Sequence, residues 1–310
     1  MAKTKEISRC IKSVTSTKKI TKAMEMVAAA KMRKAIEAVL KTRAYANLSR
    51  ETVLRLATLE KSKNDEAHPL LAPRREIKTA AVILITSNRG MCGGYNAAVV
   101  NKAEQSLKRY SDIKTDFILA GKKGASVYQH GHTVTAEFEK SDILNNAGDI
   151  YPIIKMALDD YLSGKYDKIF VAYTDFINPV KQIARVRQLL PLETEKIDSY
   201  SGVASQTDKA ESGVLRGIET DAPSIEYTFE PSPREVLDMM IPRFLEIQLF
   251  QAFLEANASE HSARMTAMHQ ATEAATDMVS ELTLFYNKAR QAGITAEIAE
   301  ISAGANALAE

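Results

Sequence analysis

Apolar and small residues recur every three or four positions along residues 232–310, which is the spacing of one face of a long α-helix. The stretch opens with a helix start signal, since Ser232 can cap the first turn, Pro233 suits the first helical position and Glu235 completes a capping box. At a rise of about 1.5 Å per residue, such a helix reaches about 110 Å. Helices in globular proteins average about 11–12 residues, so this one needs a partner helix, an enclosing sleeve, or both. The seam consists of Phe250, Leu254, Asn257, His261, Met265, Met268, Thr272, Ala275, Val279, Leu282, Tyr286 and Ala289.

Residues 3–60 form a second long helical pattern, in which neither proline nor glycine occurs. Its seam keeps the same spacing if Lys18 and Glu25 are accepted as polar members. A further apolar stripe lies on another side of this helix. A helix that is apolar over much of its circumference is usually enclosed, so we expect the region 20–38 to be covered. The seam consists of Ile7, Ile11, Val14, Thr21, Ala28, Met32, Ala35 and Val39, and the further stripe of Ile20, Ala23, Val27 and Ala30.

Between the two helical patterns, the periodicity changes to short apolar runs separated by turns and short helices. The run at 79–86 is continuously apolar between its flanking threonines, which is typical of a strand buried on both faces. Strands that alternate with helices predict a mostly parallel sheet covered by helices. The predicted strands are 79–86, 117–120, 133–138, 168–173, 182–190 and 225–230, and the predicted helices are 97–109, a short one through 128, and 151–162. Residues 199–221 are rich in Ser, Gly, Thr and charge and predict a loop.

The sequence therefore predicts an α/β protein with long helices. The N- and C-terminal segments would form an antiparallel two-helix coiled coil, and a Rossmann-like, mostly parallel sheet domain would be inserted between them. We place the three parts at residues 1–62, 63–231 and 232–310.

Charge is distributed unevenly, although the formal net charge is only +2. Residues 1–60 carry a balance of +9, and residues 233–310 carry a balance of −6. Two interpretations stay open, namely two solvated helix faces or an antiparallel hairpin with complementary fields. No apolar run reaches the roughly 18 residues that a membrane span requires. Cys10 and Cys92 give no disulfide framework, which favours a reducing compartment.

The Gly-rich turn at 88–96 raises the question of a nucleotide site, because a strand, a Gly loop and a helix N-terminus can bind phosphate. Its glycines do not have the G-x-G-x-x-G spacing, and residues 121–124 lack the flanking features of a P-loop. His130 and His132 have no further metal ligand at a fitting spacing. We therefore predict no catalytic, cofactor or metal site. Two alternatives are kept: a Rossmann-type nucleotide-binding enzyme with helical arms, and a basic coiled-coil adaptor for nucleic acid.

Several motifs resemble a known family and stand in its order along nearly the whole chain. The segment 19–33, K-I-T-K-A-M-E-M-V-A-A-A-K-M-R, resembles the N-terminal helix signature of the gamma subunit of F-type ATP synthase. The turn 89–96, R-G-M-C-G-G-Y-N, is similar to the same family's R-G-L-C-G-G-x-N. Residues 258–265, 284–295 and 297–301 resemble its C-terminal signatures.

The resemblance implies a central stalk rotor without an active site of its own. In this family the end helices lie inside a hexamer of alpha and beta subunits, and the middle domain meets the epsilon subunit and the membrane ring of c subunits. Proton-driven rotation is thereby coupled to ATP synthesis and hydrolysis at the beta-subunit sites. The resemblance implies no nucleic acid partner and an indirect, peripheral association with the membrane through the c ring. The absence of a transit peptide before Lys3 favours the cytoplasmic face of a bacterial cell membrane.

The family motifs also imply individual contacts with the beta subunit. By this match, Arg290, Gln291 and Thr295 would hydrogen-bond a loop of beta, and Met24 and Arg264 would lie close to the coupling interface. One departure is that residues 199–224 are longer and more polar than in compact family members. They contain no cysteine, so the thiol switch of the chloroplast branch is not expected here.

Overall fold

A computed structural model describes residues 2–63, 68–72, 74, 76–108, 113–144, 146–192, 230 and 232–309. Four α-helices and five strands are found in this part of the chain. The helices are α1 (Ala2–Lys63), α2 (Tyr95–Leu107), α3 (Tyr151–Leu162) and α4 (Pro233–Ala309), and the strands are β1 (Thr79–Ile85), β2 (Lys114–Ala120), β3 (Thr133–Phe138), β4 (Lys168–Phe176) and β5 (Gln182–Leu190). Two 3₁₀ helices span Lys122–His130 and Ala147–Ile150. The predicted loop 199–221 and strand 225–230 lie outside the described residues, apart from residue 230.

The five strands form one sheet in the order β3-β2-β1-β4-β5. β1 pairs in parallel with both β2 and β4, and β3 pairs in parallel with β2, whereas β5 is antiparallel to β4. Six of the seven residues of β1 are buried, because helices cover both faces of the sheet. The predicted mostly parallel sheet and the two long terminal helices are therefore confirmed.

The chain divides into two compact units, which we describe separately. The first, called the helical pair, consists of Met1–Ala28 and Arg264–Glu310. The second, called the α/β unit, consists of Ala29–Ala263. The boundaries at 62 and 231 that the sequence suggested stay a prediction.

The start of α4 shows the cap at Ser232 that its sequence predicts, with Glu235 bonded to the Ser232 hydroxyl rather than to its backbone N–H. The backbone N–H of Glu235 donates to Oγ of Ser232 at 3.3 Å, and the Ser232 hydroxyl donates to the Glu235 carboxylate at 3.1 Å. The N–H of Val236 closes the first helical turn on the carbonyl of Ser232 at 3.1 Å. Such a cap satisfies backbone donors that would otherwise lack a partner, so it fixes where the helix begins.

Within the α/β unit, α2 covers one face of the sheet, where Val82 and Leu84 pack against Val99. The other face is covered by α3 and by segments of both long helices. Leu237, Phe244 and Leu249 of α4 belong to the core cluster on this face.

A group of ionisable side chains lies inside the core on this face of the sheet, where α4 meets β4. Glu255 and Asp175 are both buried, and the Gln251 amide donates to Glu255 at 3.3 Å. Burial raises the pKa of the Glu255 carboxyl to about 8, and the neighbouring Asp175 carboxylate adds to the rise. The charge of Arg187 and the hydrogen bond from Gln251 lower the pKa of Glu255, but by less. Glu255 therefore keeps its proton at neutral pH, because two ionised carboxylates in one buried site repel each other.

We expect Glu255→Gln to stabilise the fold increasingly as the pH rises. In the pH window from 4.5 to about 8, folded Glu255 retains a proton that the unfolded chain has lost, so the wild-type stability falls with rising pH. Glutamine mimics the neutral acid and carries no such proton. The free energy of unfolding of the variant relative to wild type should rise by about 1.4 kcal/mol per pH unit in this window and then level off. Urea unfolding of the full chain at several pH values measures this difference.

Glu246→Gln is the control for this prediction, since Glu246 lies on the same helix but pairs with Arg243 at 2.6 Å. The free energy of unfolding of this control, relative to wild type, should not rise progressively with pH. A stability difference between Glu255→Gln and wild type that does not change with pH would contradict the assignment.

Candidate functional site

The two helices of the helical pair run antiparallel and meet along one seam. Thr21 of α1 lies opposite Thr272 of α4, whereas Glu25 lies opposite His269, so the order of contacts is reversed. Ala28, Met268 and Ala275 are buried in this seam. The remaining members that the periodicity predicts here are all half-buried: Ile7, Ile11, Val14, Lys18, Thr21 and Glu25 of α1, and Met265, Thr272, Val279, Leu282, Tyr286 and Ala289 of α4. The predicted coiled-coil seam is therefore confirmed in this unit.

Polar residues in the seam are bonded across it. The Thr272 hydroxyl donates to Oγ1 of Thr21 at 2.8 Å, and the Thr21 hydroxyl donates to the carbonyl of Lys18 at 3.1 Å. Glu25 accepts from Lys22 at 3.0 Å and contacts Nδ1 of His269 at 3.2 Å. The hydrogen bond from Lys22, followed by that from His269, holds the pKa of the Glu25 carboxyl below its usual value. A seam of small and hydrogen-bonded residues keeps the two backbones close and defines their register.

The second stripe of α1 is exposed in this chain. Ile20 is 60% exposed and Val27 is 57% exposed, and Met26 beside them is similarly open. On α4 the exposed apolar residues continue through Leu284 and Ile301. Several large, exposed apolar side chains on both helices favour protein association over two fully solvated faces. The enclosure that we expect for residues 20–38 stays a prediction, because it would come from another molecule.

A groove of about 550 Å³ lies between the helices of this unit. Ala23 and Met26 give it an apolar wall, and three lysines line it against one acidic residue, Glu273, so its charge is mainly positive. The lysines are Lys18, Lys19 and Lys22. Sequence reasoning missed this groove because its walls come from both ends of the chain. The surface is suited to a partner segment that is apolar and acidic, since charge complementarity steers and orients association.

The five predicted contact residues all lie in the helical pair. Arg290, Gln291 and Thr295 are exposed within about one and a half turns of α4, and the Thr295 hydroxyl donates to the carbonyl of Gln291 at 2.9 Å. Met24 and Arg264 are half-buried. Three of the five are thus presented together on one exposed stretch of helix, and the contacts themselves stay predictions.

The place where an open parallel sheet binds a nucleotide is occupied by protein here. Ligands of such sheets bind beyond the carboxyl ends of the strands, at the point where the strand order reverses, next to β1 and β4 in this order. α4 passes across this edge: Ser259 donates to the carbonyl of Thr174 at 3.0 Å, and the Tyr95 hydroxyl donates to the carbonyl of Ala256 at 3.2 Å. The helix therefore fills the crevice that a dinucleotide would need.

Internal hydrogen bonds stabilise the Gly-rich turn after β1. The side chain of Asn96 accepts from the N–H of Ser87 at 3.0 Å and donates to Oγ of Ser87 at 2.8 Å. Gly93 has φ of +57°, and Met91 is a non-glycine residue at φ of +60°, so the chain turns tightly here. These bonds favour the structural role that the sequence suggested for the turn, namely joining a strand to a helix packed on the sheet.

His130 and His132 have a carboxylate neighbour that the sequence did not reveal. His130 contacts the carboxylate of Glu104 on α2, and Nε2 of His132 lies 3.9 Å from the same oxygen. Glu104 is remote in sequence, so no local spacing could indicate it. In the part of the chain that the structure describes, no group of three or more His, Cys, Asp or Glu side chains is arranged to hold a metal ion.

Comparison with known proteins assigns the chain to a class. A family model described as ATP synthase matches residues 3–308, so the class is that of ATP synthase subunits. The ATP synthase gamma chain of Symbiobacterium thermophilum is 40% identical over 311 residues, covering 98% of each chain. That of Cytophaga hutchinsonii is 37% identical over 320 residues, covering 99% of each. The chain belongs to the ATP synthase gamma chain family, which confirms the resemblance of its motifs.

Solved structures show the same fold at lower identity. A chain of the Euglena gracilis mitochondrial ATP synthase, from an assembly that contains F1 and the c-ring, aligns with a TM-score of 0.64 at 16% identity. The alignment covers 99% of this chain and 95% of that chain. A chain from the central stalk and c-ring of the Tetrahymena thermophila enzyme aligns with a TM-score of 0.56 at 21% identity, covering 81% and 99%. Among the described residues, no helix combines the length and the apolar character needed to cross a membrane.

We expect Ala275→Leu to weaken the helical pair, because Ala275 is buried in the seam and three more carbon atoms there would push the two helices apart. Overpacking of this kind costs about 1–3 kcal/mol. Ala274→Leu is the matched control, since Ala274 is exposed on the neighbouring position of α4 and should change stability by less than about 0.5 kcal/mol. Urea unfolding followed by circular dichroism compares the two. Equal stability of both variants would show that the seam does not form as described.

Proposed function

We propose that this chain is the central rotary shaft of an F-type ATP synthase. It couples proton-driven rotation of a membrane ring to ATP synthesis, and to hydrolysis, at catalytic sites on beta subunits. One observation carries the proposal: the two helices of the helical pair join through a single seam and leave apolar and basic surface uncovered along α1 and α4. A stiff, paired rod with such a surface is suited to turning inside a sleeve of other subunits.

The proposed partners follow from the family and from the charge of these surfaces. Alpha and beta subunits would enclose the helical pair, and an acidic lever of beta would face the lysines of the groove. The epsilon subunit and the c ring would contact the α/β unit. The similar solved structures come from assemblies with a central stalk, F1 and a c-ring, which supports this arrangement.

The chain would have no catalytic role of its own. The support for this is the position of α4, which crosses the carboxyl edge of the sheet and hydrogen-bonds to β4 where a nucleotide would lie. The chemistry would belong to beta, and this chain would transmit motion. It would associate peripherally with the cytoplasmic face of a bacterial membrane, held there through the c ring.

Five residues are the proposed contacts with beta. Arg290, Gln291 and Thr295 present charged and polar hydrogen-bonding groups along one exposed stretch of α4, which is suited to the carboxylates and carbonyls of a loop. Met24 and Arg264 would lie at the coupling interface. At Met24 an apolar side chain between Lys22 and Glu25 would keep charge away from beta.

Reconstitution with alpha and beta subunits tests the proposed function. The chain should assemble with them into a complex whose ATP hydrolysis drives its rotation. Titration of the purified chain with nucleotides separates this function from the enzyme alternative, because stoichiometric binding at micromolar affinity would overturn a purely mechanical role. A salt-sensitive complex with DNA or RNA, without affinity for alpha and beta, would instead favour the nucleic-acid adaptor.

Met24→Lys should reduce proton pumping per ATP hydrolysed severalfold, with little loss of folding. The new ammonium can pair with a carboxylate of beta, and a hydrogen bond to a charged group is worth about 1.5–3 kcal/mol, which would hold the shaft at one position. Met24→Leu, which adds no charge, is the matched control and should pump normally. Membrane vesicles that carry each variant give the ratio, and normal pumping by Met24→Lys would contradict the placement of Met24.

Arg290→Ala should slow ATP turnover of the reconstituted hexamer by about tenfold, because it removes a charge-assisted hydrogen bond of about 1.5–3 kcal/mol. Lys288→Ala is the control, since Lys288 is an exposed cation on the same helix outside the proposed contacts. Steady-state hydrolysis assays compare the two variants. Unchanged turnover in Arg290→Ala would remove this residue from the interface.

A further inference from the structure

The groove of the helical pair has a cationic part and an apolar part. Its α1 wall extends from Thr15 to Met26, which is about 16 Å along the helix axis. The three lysines lie in the middle of this wall, and Ala23 and Met26 follow them toward one end. Its volume of about 550 Å³ is within the range of about 300–1,000 Å³ that small molecules occupy in proteins.

Two of the three lysines have no carboxylate partner. Lys22 pairs with Glu25 at 3.0 Å, whereas the ammonium groups of Lys18 and Lys19 form no ion pair in the part of the chain that the structure describes. The acidic residue of the groove, Glu273, lies on the α4 wall, 3.4 Å from Nε2 of His269. The charge of Lys18 and Lys19 is therefore available to a ligand.

The apolar part of the groove is open to water. Met26 is 59% exposed, and Ala23 is exposed one turn before it. A methionine side chain is flexible and polarisable, so it adapts to ligands of different shapes. The methylene stems of the neighbouring lysines can cover apolar surface while their ammonium groups stay in water. An apolar ligand tail would remove this surface from water, which is favourable.

The chemistry of the walls determines the class of ligand. Both walls lie within helices, whose backbone N–H groups are already hydrogen-bonded along the chain, so the groove lacks the N–H donors of a phosphate site. An apolar cation would be repelled by the lysines. A carboxylate, in contrast, can accept charge-assisted hydrogen bonds from two ammonium groups.

We propose that the groove binds a small apolar monoanion of the fatty-carboxylate class. Its carboxylate lies at Lys18 and Lys19, and its alkyl tail covers Ala23 and Met26. The distance along α1 from Lys18 to Met26, about 12 Å, suits an acyl chain of medium length such as that of decanoate.

The ligand occupies the surface that the acidic lever of beta is proposed to face, so it competes with that lever. This consequence rests on the proposed function, whereas the binding itself does not. The groove is then a place where an apolar anion slows the motor without reaching a catalytic site.

Binding is tested by titrating the full chain with decanoate while the methionine methyl groups are observed by NMR. The Met26 resonance should shift in a saturable way, because the tail covers this side chain. Met239 is the matched control within the same molecule, since it is 78% exposed in the α/β unit and should not shift. Equal shifts of both methionines would show general adsorption of a surfactant, and that result, or no shift of Met26, would overturn the proposal.

The role of the lysines is tested by removing charge from either side of the contact. Decanol, which has no charge, should bind about tenfold more weakly than decanoate, because it forms no charge-assisted hydrogen bond. Lys18→Gln with Lys19→Gln should weaken the binding of decanoate by a similar factor and leave that of decanol unchanged. Lys12→Gln is the matched control, since Lys12 is exposed on the same helix outside the groove. Equal affinities for decanoate and decanol in wild type would refute the assigned contact.

The competition is tested in the complex reconstituted with alpha and beta subunits. Saturating decanoate should slow ATP hydrolysis severalfold, and decanol at the same concentration should not. Unchanged hydrolysis in saturating decanoate would refute the competition with the lever. Failure of the wild-type chain to assemble with alpha and beta would refute the proposed function instead, and the titration of the free chain would still decide whether the site exists.

Discussion

The enclosure of α4 between Gln251 and Ser262 is the constraint on which the α/β unit depends. A helix crosses the carboxyl edge of a parallel sheet, where backbone groups at the strand ends need partners. The helix supplies them through Ser259 and Ser262, and it receives Tyr95 from the start of α2. The same segment closes the core beneath it, where Leu249 and Phe253 pack on the sheet. Sheet, loops and helix are thus stabilised by one set of contacts.

Both units contain segments of α1 and α4, but these segments are more deeply buried in the α/β unit than in the helical pair. In the α/β unit, the long helices are covered by other parts of the protein. A buried acidic side chain there either keeps its proton, as Glu255 does, or pairs with a cation, as Glu260 does with Lys140. In the helical pair, a single seam is covered, and Ile20 and Val27 remain open to water. A chain whose long helices are buried in one unit and partly open in the other is suited to joining a folded base to neighbouring proteins.

The sequence predicted those features that depend on residues close to one another in the chain. The seam could be read from the sequence, including its polar members Lys18 and Glu25, because burial on one face of a helix repeats every three or four residues. The parallel sheet and the cap at Ser232 were likewise visible. The Lys140–Glu260 pair could not be found, because its members are 120 residues apart and neither stands in a recognisable motif. Glu104 and the lysine groove were missed for the same reason, and the exposure of the second stripe depends on which other molecules are present.

The far end of α4 has a consequence for the stability of the free chain. Residues 290–305 of α4 are exposed on every side of the helix. Gly293 and Gly304 lie in this stretch with no atom near enough to support them. A lone helix that contains glycine is marginal in water. The tail is therefore the part of α4 that opens most easily, and a protein that covers it would stabilise it as a helix.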